Sequence, residues 1–308
     1  MILCSGEALI DMVAASTADG EPAYVARPGG SPLNVAVSLG RLAIPVGLFA
    51  GISTDHFGTI LLKTLQSNNV DTTHVRLASR PTTLAFAHLR DGKASYAFHD
   101  EYSAGRMLIE ADLPKIDGSI SALLFSGISL VSEPSGSTHE TLMRRSCPSH
   151  VTMLDPNIRP AFIGERAAHV MRMRRMIGMA DIVKLSEEDL AWFEEPDDLD
   201  ATACRWLKSG PKVLVVTRGH QGSVAYTARS KVEVPARRIA VVDTIGAGDA
   251  ASAALLAWLH DARMLTKDAL DRLGANDLRA ALTFAMRVSA ASVTQAGANP
   301  PWREELAL

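Results

Sequence analysis

Seven short runs rich in Val, Ile and Leu, most of them apolar at successive positions, punctuate this chain at residues 2–9, 46–52, 122–130, 151–154, 181–185, 212–217 and 239–242. A strand that is apolar on both faces must be covered on both, which a sheet sandwiched between helical layers provides. Helical patterns with recognisable caps lie between the runs. Ser31-Pro32 opens residues 33–42, Asp55 opens 57–66, Ser135 or Ser137 opens the segment to Arg145, and Ser186 opens 187–193. Further helical patterns follow at 250–260 and 277–295. This alternation predicts an α/β fold with a doubly wound, mostly parallel sheet flanked by helices. Two stretches break the rhythm. Residues 12–28 and 82–98 alternate polar with apolar, and Asp91-Gly92 in the second reads as a hairpin turn. They predict a small antiparallel β flap, or lid, over one end of the sheet, within a single domain spanning 1–308.

Composition narrows the function classes. Hydrophobic residues make up 47% of the 308 positions and charged residues 21%, an ordinary globular balance. A net charge of -3 argues against a dedicated nucleic-acid binder, which needs a basic surface. Cys4, Cys147 and Cys204 are odd in number and scattered, so they form neither a disulfide framework nor a zinc-ligand spacing, and a reducing cytoplasm is expected. The opening MILCSGEALIDMV carries Glu7 and Asp11 inside its apolar stretch and lacks a basic flank. It reads as a buried strand, not a signal peptide. No uncharged apolar run reaches the ~18 residues of a membrane helix, so no membrane partner is expected.

The chemistry concentrates in two glycine-rich turns. DTIGAGD, residues 243–249, precedes an alanine-rich helix. The N–H groups of Gly246, Ala247, Gly248 and Asp249 can converge there, where the helix end favours an anion. Asp249 admits three readings: a helix cap, part of a dinucleotide loop, or a general base beside an anion hole. Gly246, Gly248 and Ala251 do fit GxGxxA, but a pyrophosphate would then meet the Asp249 carboxylate. The same carboxylate is suited to accept a proton from a hydroxyl attacking a phosphoryl group held by neighbouring N–H donors. The second turn, PGGSPLNVA, pairs Gly29 with Gly30, so a substrate can approach the backbone. Asn34 lies one helical turn on, with an amide that both donates and accepts. Asp11, an acid ending an apolar run, fits the ligand-binding carboxyl edge of an open α/β sheet.

GGSPLNVA and DTIGAGDA together resemble the two signature segments of the PfkB, or ribokinase-like, family of carbohydrate kinases, and the similarity runs over nearly the whole chain. GEALIDM at 6–12, DPNIR at 155–159 and KLSEEDL at 184–190 are similar to its fructokinase branch. The resemblance implies ATP-dependent phosphorylation of a primary hydroxyl of a sugar. It casts Asp249 as catalytic base, Gly246, Ala247 and Gly248 as the anion hole, and Asp11, Gly30 and Asn34 as contacts to sugar hydroxyls. Arg159 matches a basic position that neutralises phosphate charge, with Asn157 beside it. Thr217, Gly219 and Gly222 resemble a nucleotide-binding TxGxxG turn, and Lys184 and Thr244 are assigned to the same side. Two departures stand out. Ser186 and Asp189 occupy the ends of a motif that many relatives carry as NxxE, which leaves Asp189 an indirect link to Mg²⁺, and Met286 stands where relatives often place Asn near the adenine. A monovalent cation, K⁺, beside Asp243 rests on the resemblance alone.

The expectation is therefore an ATP- and Mg²⁺-dependent sugar kinase, with D-fructose preferred over ribose or 2-keto-3-deoxygluconate. Phe98 on the lid is expected beside the sugar, and apolar lid residues are expected to find cover in a second subunit's lid, giving a homodimer. A nicotinamide-dependent dehydrogenase and a sugar-binding regulator without turnover are the rival classes.

Overall fold

The structure, a computed structural model, describes residues 1–90, 93–194 and 198–306. The first half of the chain holds strands β1 (Ile2–Ser5), β2 (Leu9–Ser16), β3 (Pro22–Gly29), β4 (Val46–Phe49), β5 (Gly51–Ser53), β6 (Val70–Asp71), β7 (Arg76–Ala78), β8 (Leu84–Arg90) and β9 (Lys93–His99), with helices α1 (Ser31–Arg41) and α2 (His56–Ser67). The second half alternates more regularly. Strands β10 (Ala122–Ser126), β11 (Val151–Asp155), β12 (Ile182–Ser186) and β13 (Val213–Thr217) are separated by helices α3 (Ser135–Ser146), α4 (Arg166–Met179), α5 (Glu187–Phe193) and α6 (Leu199–Lys208). Strands β14 (Ser223–Tyr226) and β15 (Lys231–Val234) then lead to helices α7 (Ala247–Asp261), α8 (Lys267–Asp271) and α9 (Ala275–Ser292).

Nine strands form the main sheet in the order β15-β14-β13-β12-β11-β10-β1-β4-β6. Pairing is parallel from β13 through to β6 and antiparallel at β13–β14 and β14–β15. The consecutive apolar residues of each parallel strand divide between two cores. In β1, Ile2 and Cys4 join the cluster under α1, α2, α7 and α9, whereas Leu3 joins the one under α3, α4 and α6. Ala122 and Leu124 of β10 and Val213 and Val215 of β13 likewise face the first cluster, with Leu123, Phe125, Leu214 and Val216 facing the second. Burial on both faces is why these strands read as runs rather than alternations.

A second sheet, β3-β2-β8-β9, forms the lid from two antiparallel hairpins joined by a parallel pairing of β2 with β8. Its strands lie within a residue or three of the expected lid boundaries at 12–28 and 82–98. The Asp91-Gly92 turn lies outside the described residues. Among the described residues no helix is long and apolar enough to cross a membrane.

Some sequence expectations are corrected. Residues 239–242 form no strand: Val241 and Val242 are 59% and 65% exposed, and the amides of Val242 and Asp243 both donate to the Val293 carbonyl. The sheet edge is already occupied by β14 and β15, so this apolar run is left as an exposed loop. Residues 2–9 divide at Gly6, where the chain leaves the main sheet and enters the lid, so Asp11 belongs to the lid strand β2 and not to the end of a core strand. Residues 122–130 stop pairing at Ser126 and continue as a 3₁₀ turn, and 46–52 breaks between β4 and β5.

Helix α1, which carries the GGSPLN segment, packs tightly against the loop after α2. A Cβ on Gly40 would lie 1.9 Å from the Asn68 carbonyl oxygen, a backbone atom that cannot swing aside. Gly40→Ala gains up to ~1 kcal/mol of helix propensity but incurs an overpacking cost of ~1–3 kcal/mol. The melting temperature of the variant is expected to fall, and an unchanged or higher value would contradict this close approach.

Candidate active site

Five parallel strands end at their carboxyl edge in polar residues: β1 at Ser5, β10 at Ser126, β11 at Asp155, β12 at Ser186 and β13 at Thr217. Between β1 and β10 the strand order reverses, since β1 connects outward to β4 and β6 while later strands build on the other side. Open α/β sheets bind ligands at such a crevice. A cleft of about 520 Å³ lies there, walled by the lid on one side and by the start of α7 on the other.

Asp249 sits in the first turn of α7, buried to 7% exposure. Its N-cap, Gly246, adopts a left-handed backbone (φ 76°) that turns the chain into the helix. Oδ1 accepts a hydrogen bond from the Ser31 hydroxyl at 2.7 Å and a longer one from the Asn157 amide at 3.4 Å, and Oδ2 accepts from the Asn34 amide at 2.9 Å. Burial pushes its pKa above the usual carboxylate value, opposed by the bonds from Ser31 and Asn34; Asp155 adds to the rise and Lys184 opposes it. A carboxylate held ionisable by fixed donors, yet more basic than one in water, is suited to accept a proton. The amides of Gly246, Gly248 and Asp249 have no acceptor among the described residues, whereas Ala247 N–H is engaged by the Thr244 carbonyl at 3.2 Å. Free first-turn amides on a positive helix end can hold a phosphate.

Asp11 and Arg159 line the cleft near each other. Burial raises the Asp11 pKa to about 6, with Arg159 lowering it and Asp249 adding to the rise. Gly30, the N-cap of α1 (φ 101°), lies so close to Glu7 that a Cβ would be 2.8 Å from its carbonyl oxygen. Phe98 reaches the cleft from β9 and meets Phe162 edge-to-face, ring centroids 4.9 Å apart. On the opposite half of the cleft lie Lys184, Asp189, Thr217, Gly219 and Thr244.

The cleft thus gathers most of the residues expected from sequence. Gly29, Ala247, Gly222 and Asp243 are not among those lining it. Gly222 follows the turn after β13 with φ 96°, and a Cβ there would lie 2.1 Å from the Val234 carbonyl oxygen, so its glycine identity answers to packing. Asp243 bonds the amides of Ile245 and Gly297 and so ties the exposed loop to the chain's end. Asp189 is the N3 residue of a capping box on α5, accepting from Ser186 N–H and also from Ile158 N–H. Ser186 caps as expected, but Ser31 does not cap α1; it is the first helical residue, and its hydroxyl turns to Asp249.

Sequence reasoning left out Asp155 and gave Glu7 and Ser31 no part in the site. Asp155 Oδ2 receives Lys184 Nζ at 2.8 Å and the Ser252 hydroxyl at 3.0 Å; the same ammonium donates to the Gly248 carbonyl at 3.1 Å. Burial disfavours the charged Lys184, but Asp155, with Asp249 and Asp189, outweighs it and holds the pKa above the ordinary lysine value. The signal was legible: a lysine within the apolar strand IVKLS requires a carboxylate, and the neighbouring strand ends in one. Glu7 accepts the amides of Ser31 and Ser129, at 3.1 Å each, drawing the start of α1 to the end of β10.

A family model described as "pfkB family carbohydrate kinase" matches residues 1–305. Among curated proteins, a fructokinase of Rhizobium leguminosarum bv. trifolii is 47% identical over 279 residues, covering 91% of this chain and 86% of that one. A solved fructokinase with bound ATP from Xylella fastidiosa superposes with a TM-score of 0.90 at 28% identity, covering 99% of this chain and 97% of that one. A Vibrio cholerae fructokinase in a form with fructose, ADP and calcium ion gives a TM-score of 0.83 at 26% identity, with 96% and 94% covered.

Breaking the buried pair by Asp155→Ala is expected to cost ~3–5 kcal/mol, because it strands the Lys184 ammonium away from water. Lys184→Met in the same background should recover much of that loss. Denaturant titration of the single and double variants checks this, and a double variant no more stable than the single would contradict it.

Proposed function

The chain belongs to the pfkB family of carbohydrate kinases, and from that premise we propose that it transfers the γ-phosphoryl group of ATP to a primary hydroxyl of D-fructose, acting as one kinase domain with a lid. The observation that carries the reading is Asp249 beside the free amides of Gly246 and Gly248, in the same cleft as Asp11 and Asn34. Fructose is preferred over ribose or 2-keto-3-deoxygluconate because the 47% identical relative is a fructokinase.

In this mechanism Asp11 accepts hydrogen bonds from sugar hydroxyls, as does the carbonyl oxygen of the Asn34 amide, and the Phe98 ring covers the apolar edge. Asp249 takes the proton as the sugar O–H bond breaks, an O–P bond forms, and the bond from Pγ to the bridging oxygen breaks with its electrons leaving on ADP. The amides of Gly246 and Gly248 and the Arg159 guanidinium offset charge on the moving phosphoryl group. Thr217, Gly219 and Thr244 are assigned to the nucleotide. Closure of the lid excludes water, which would otherwise compete for the phosphoryl group.

The residues fit a magnesium ion. Mg²⁺ keeps several waters and takes one or two carboxylates plus phosphate oxygens. Glu188 lines the cleft with no hydrogen-bond partner among the described residues, and Asp189, whose oxygens both serve backbone amides, is suited to a water-mediated contact. When bound, the ion would supply positive charge to the phosphates. Asp243, whose oxygens each retain acceptor capacity, is the group we assign to a potassium ion. Val25, 45% exposed on the outer lid strand β3, supports a homodimer through the lid, with a two-subunit mass in light scattering as its test.

A coupled assay of ADP release across fructose, ribose, ketodeoxygluconate and nucleosides should give the highest kcat/KM for fructose. A higher value for another sugar would overturn the assignment, and no turnover with any would favour a sugar-binding regulator. The acid limb of kcat/KM for fructose should include an inflection near pH 6, where Asp11 loses its proton and becomes charged as pH rises, and Asp11→Asn should remove it. The linkage to folding has the opposite sense. An acid whose folded pKa is raised from 3.8 to about 6 loses its stabilising contribution as pH rises through that window. Asp11→Asn should therefore melt higher than the parent above pH 6 and gain nothing below pH 4, while its fructose KM rises at least about tenfold.

A further inference from the structure

The acid in the first turn of α7 is gripped from α1 by two side chains three positions apart, Ser31 on Oδ1 and Asn34 on Oδ2. Residues at this spacing share one helix face, so a single rigid element holds both carboxylate oxygens. Behind Ser31 lies a second hydroxyl, that of Ser126 at the carboxyl end of β10, at 2.7 Å. A hydroxyl has one proton. If Ser31 donates to Asp249, the bond between the serines must run from Ser126 to Ser31, giving a directed relay Ser126→Ser31→Asp249. Both serines are buried, at 0% and 8% exposure, so water does not compete for these bonds. Glu7 fixes the start of the relay's helix by accepting Ser31 N–H.

We propose that Ser31, backed by Ser126, is a positioning residue for phosphoryl transfer: its proton occupies Oδ1 of Asp249 and leaves Oδ2, which among the described residues has only the Asn34 amide as a partner, to receive the proton of the sugar hydroxyl. This rests on Asp249 being the base. The relay does two things. It fixes the rotation of the carboxylate, so that one oxygen faces the substrate, and it stabilises the ionised form that a base requires.

Other groups face Asp249 from every side and set the background. Asp155 from β11 and Asp11 from β2 disfavour its charge, Lys184 from β12 favours it, and Asn157 contributes its 3.4 Å contact. Arg159 acts on Asp11. Burial raises the pKa of Glu7, which meets the relay through the Ser31 amide. None of these side chains is altered by trimming the Ser31 hydroxyl.

The test is the pH profile of kcat at saturating fructose and ATP for the full-length protein, Ser31→Ala, Ser126→Ala and Asp249→Asn. Loss of the Ser31 donor disfavours the ionised base, so the acid limb of Ser31→Ala is expected to move up by about one pH unit, a tenfold change in proton affinity. The rate should recover toward the parent's plateau at higher pH, with the melting temperature and fructose KM near the parent's. Ser126→Ala, which leaves Ser31 in place, should move the limb the same way by less. A limb unmoved in both serine variants, or a fall in kcat that is uniform across pH and follows the folded fraction, would overturn the proposal. A limb that persists in Asp249→Asn would instead overturn Asp249 as the base, so the two failures are distinguishable.

Discussion

Burying an ionised carboxylate without partners costs several kcal/mol, and this protein buries Glu7, Asp155 and Asp249 around one crevice. Each is met by groups from other parts of the chain. Glu7 takes amides from α1 and from the turn after β10; Asp155 takes Lys184 from β12 and Ser252 from α7; Asp249 takes Ser31 and Asn34 from α1. The polar network that satisfies these acids is therefore the same one that fixes β1, β10, β11, β12, α1 and α7 relative to one another. Fold and site are two descriptions of a single constraint.

The two glycine-rich turns fit this constraint through backbone reach. Gly30 lets α1 begin against Glu7, and Gly246 lets α7 begin with its amides open toward the cleft. Two helices thus start at the same crevice from opposite ends of the sequence, one offering side-chain donors and the other bare amides and an acid. The lid sheet completes the wall with Asp11 and Phe98. Within the described residues, the part of the cleft assigned to sugar is built from early segments and the part assigned to nucleotide from later ones, and Asp249 stands where they meet.

Much of this was legible in the sequence, for identifiable reasons. Doubly covered strands leave consecutive apolar residues, so β1, β4 and β10 to β13 were readable to within a few positions. Asp55 and Ser186 cap α2 and α5 as their residue types suggest. The run at 239–242 misled because local apolarity says nothing about whether a sheet edge is free, and the edge was taken by β14 and β15. Asp11 was correctly brought to the cleft for an incorrect reason, since the break at Gly6 put it on the lid. Ser31 was read as a cap because serine before a helix usually is one; its actual partner lies 218 residues away, beyond any local signal. Asp155 was the avoidable omission, because a lysine inside an apolar strand, Lys184, demands its counter-ion.

Whether the acid among the open amides of α7 receives the sugar's proton is tested by kcat of Asp249→Asn at saturating fructose and ATP, alongside both KM values and the melting temperature. The side chain keeps its shape, loses its basicity and turns an NH2 toward one of the donors that hold it. If Asp249 is the base, kcat falls by ~10² to 10⁴ in a protein that remains folded and binds both substrates. A folded Asp249→Asn protein with near-normal kcat would contradict it.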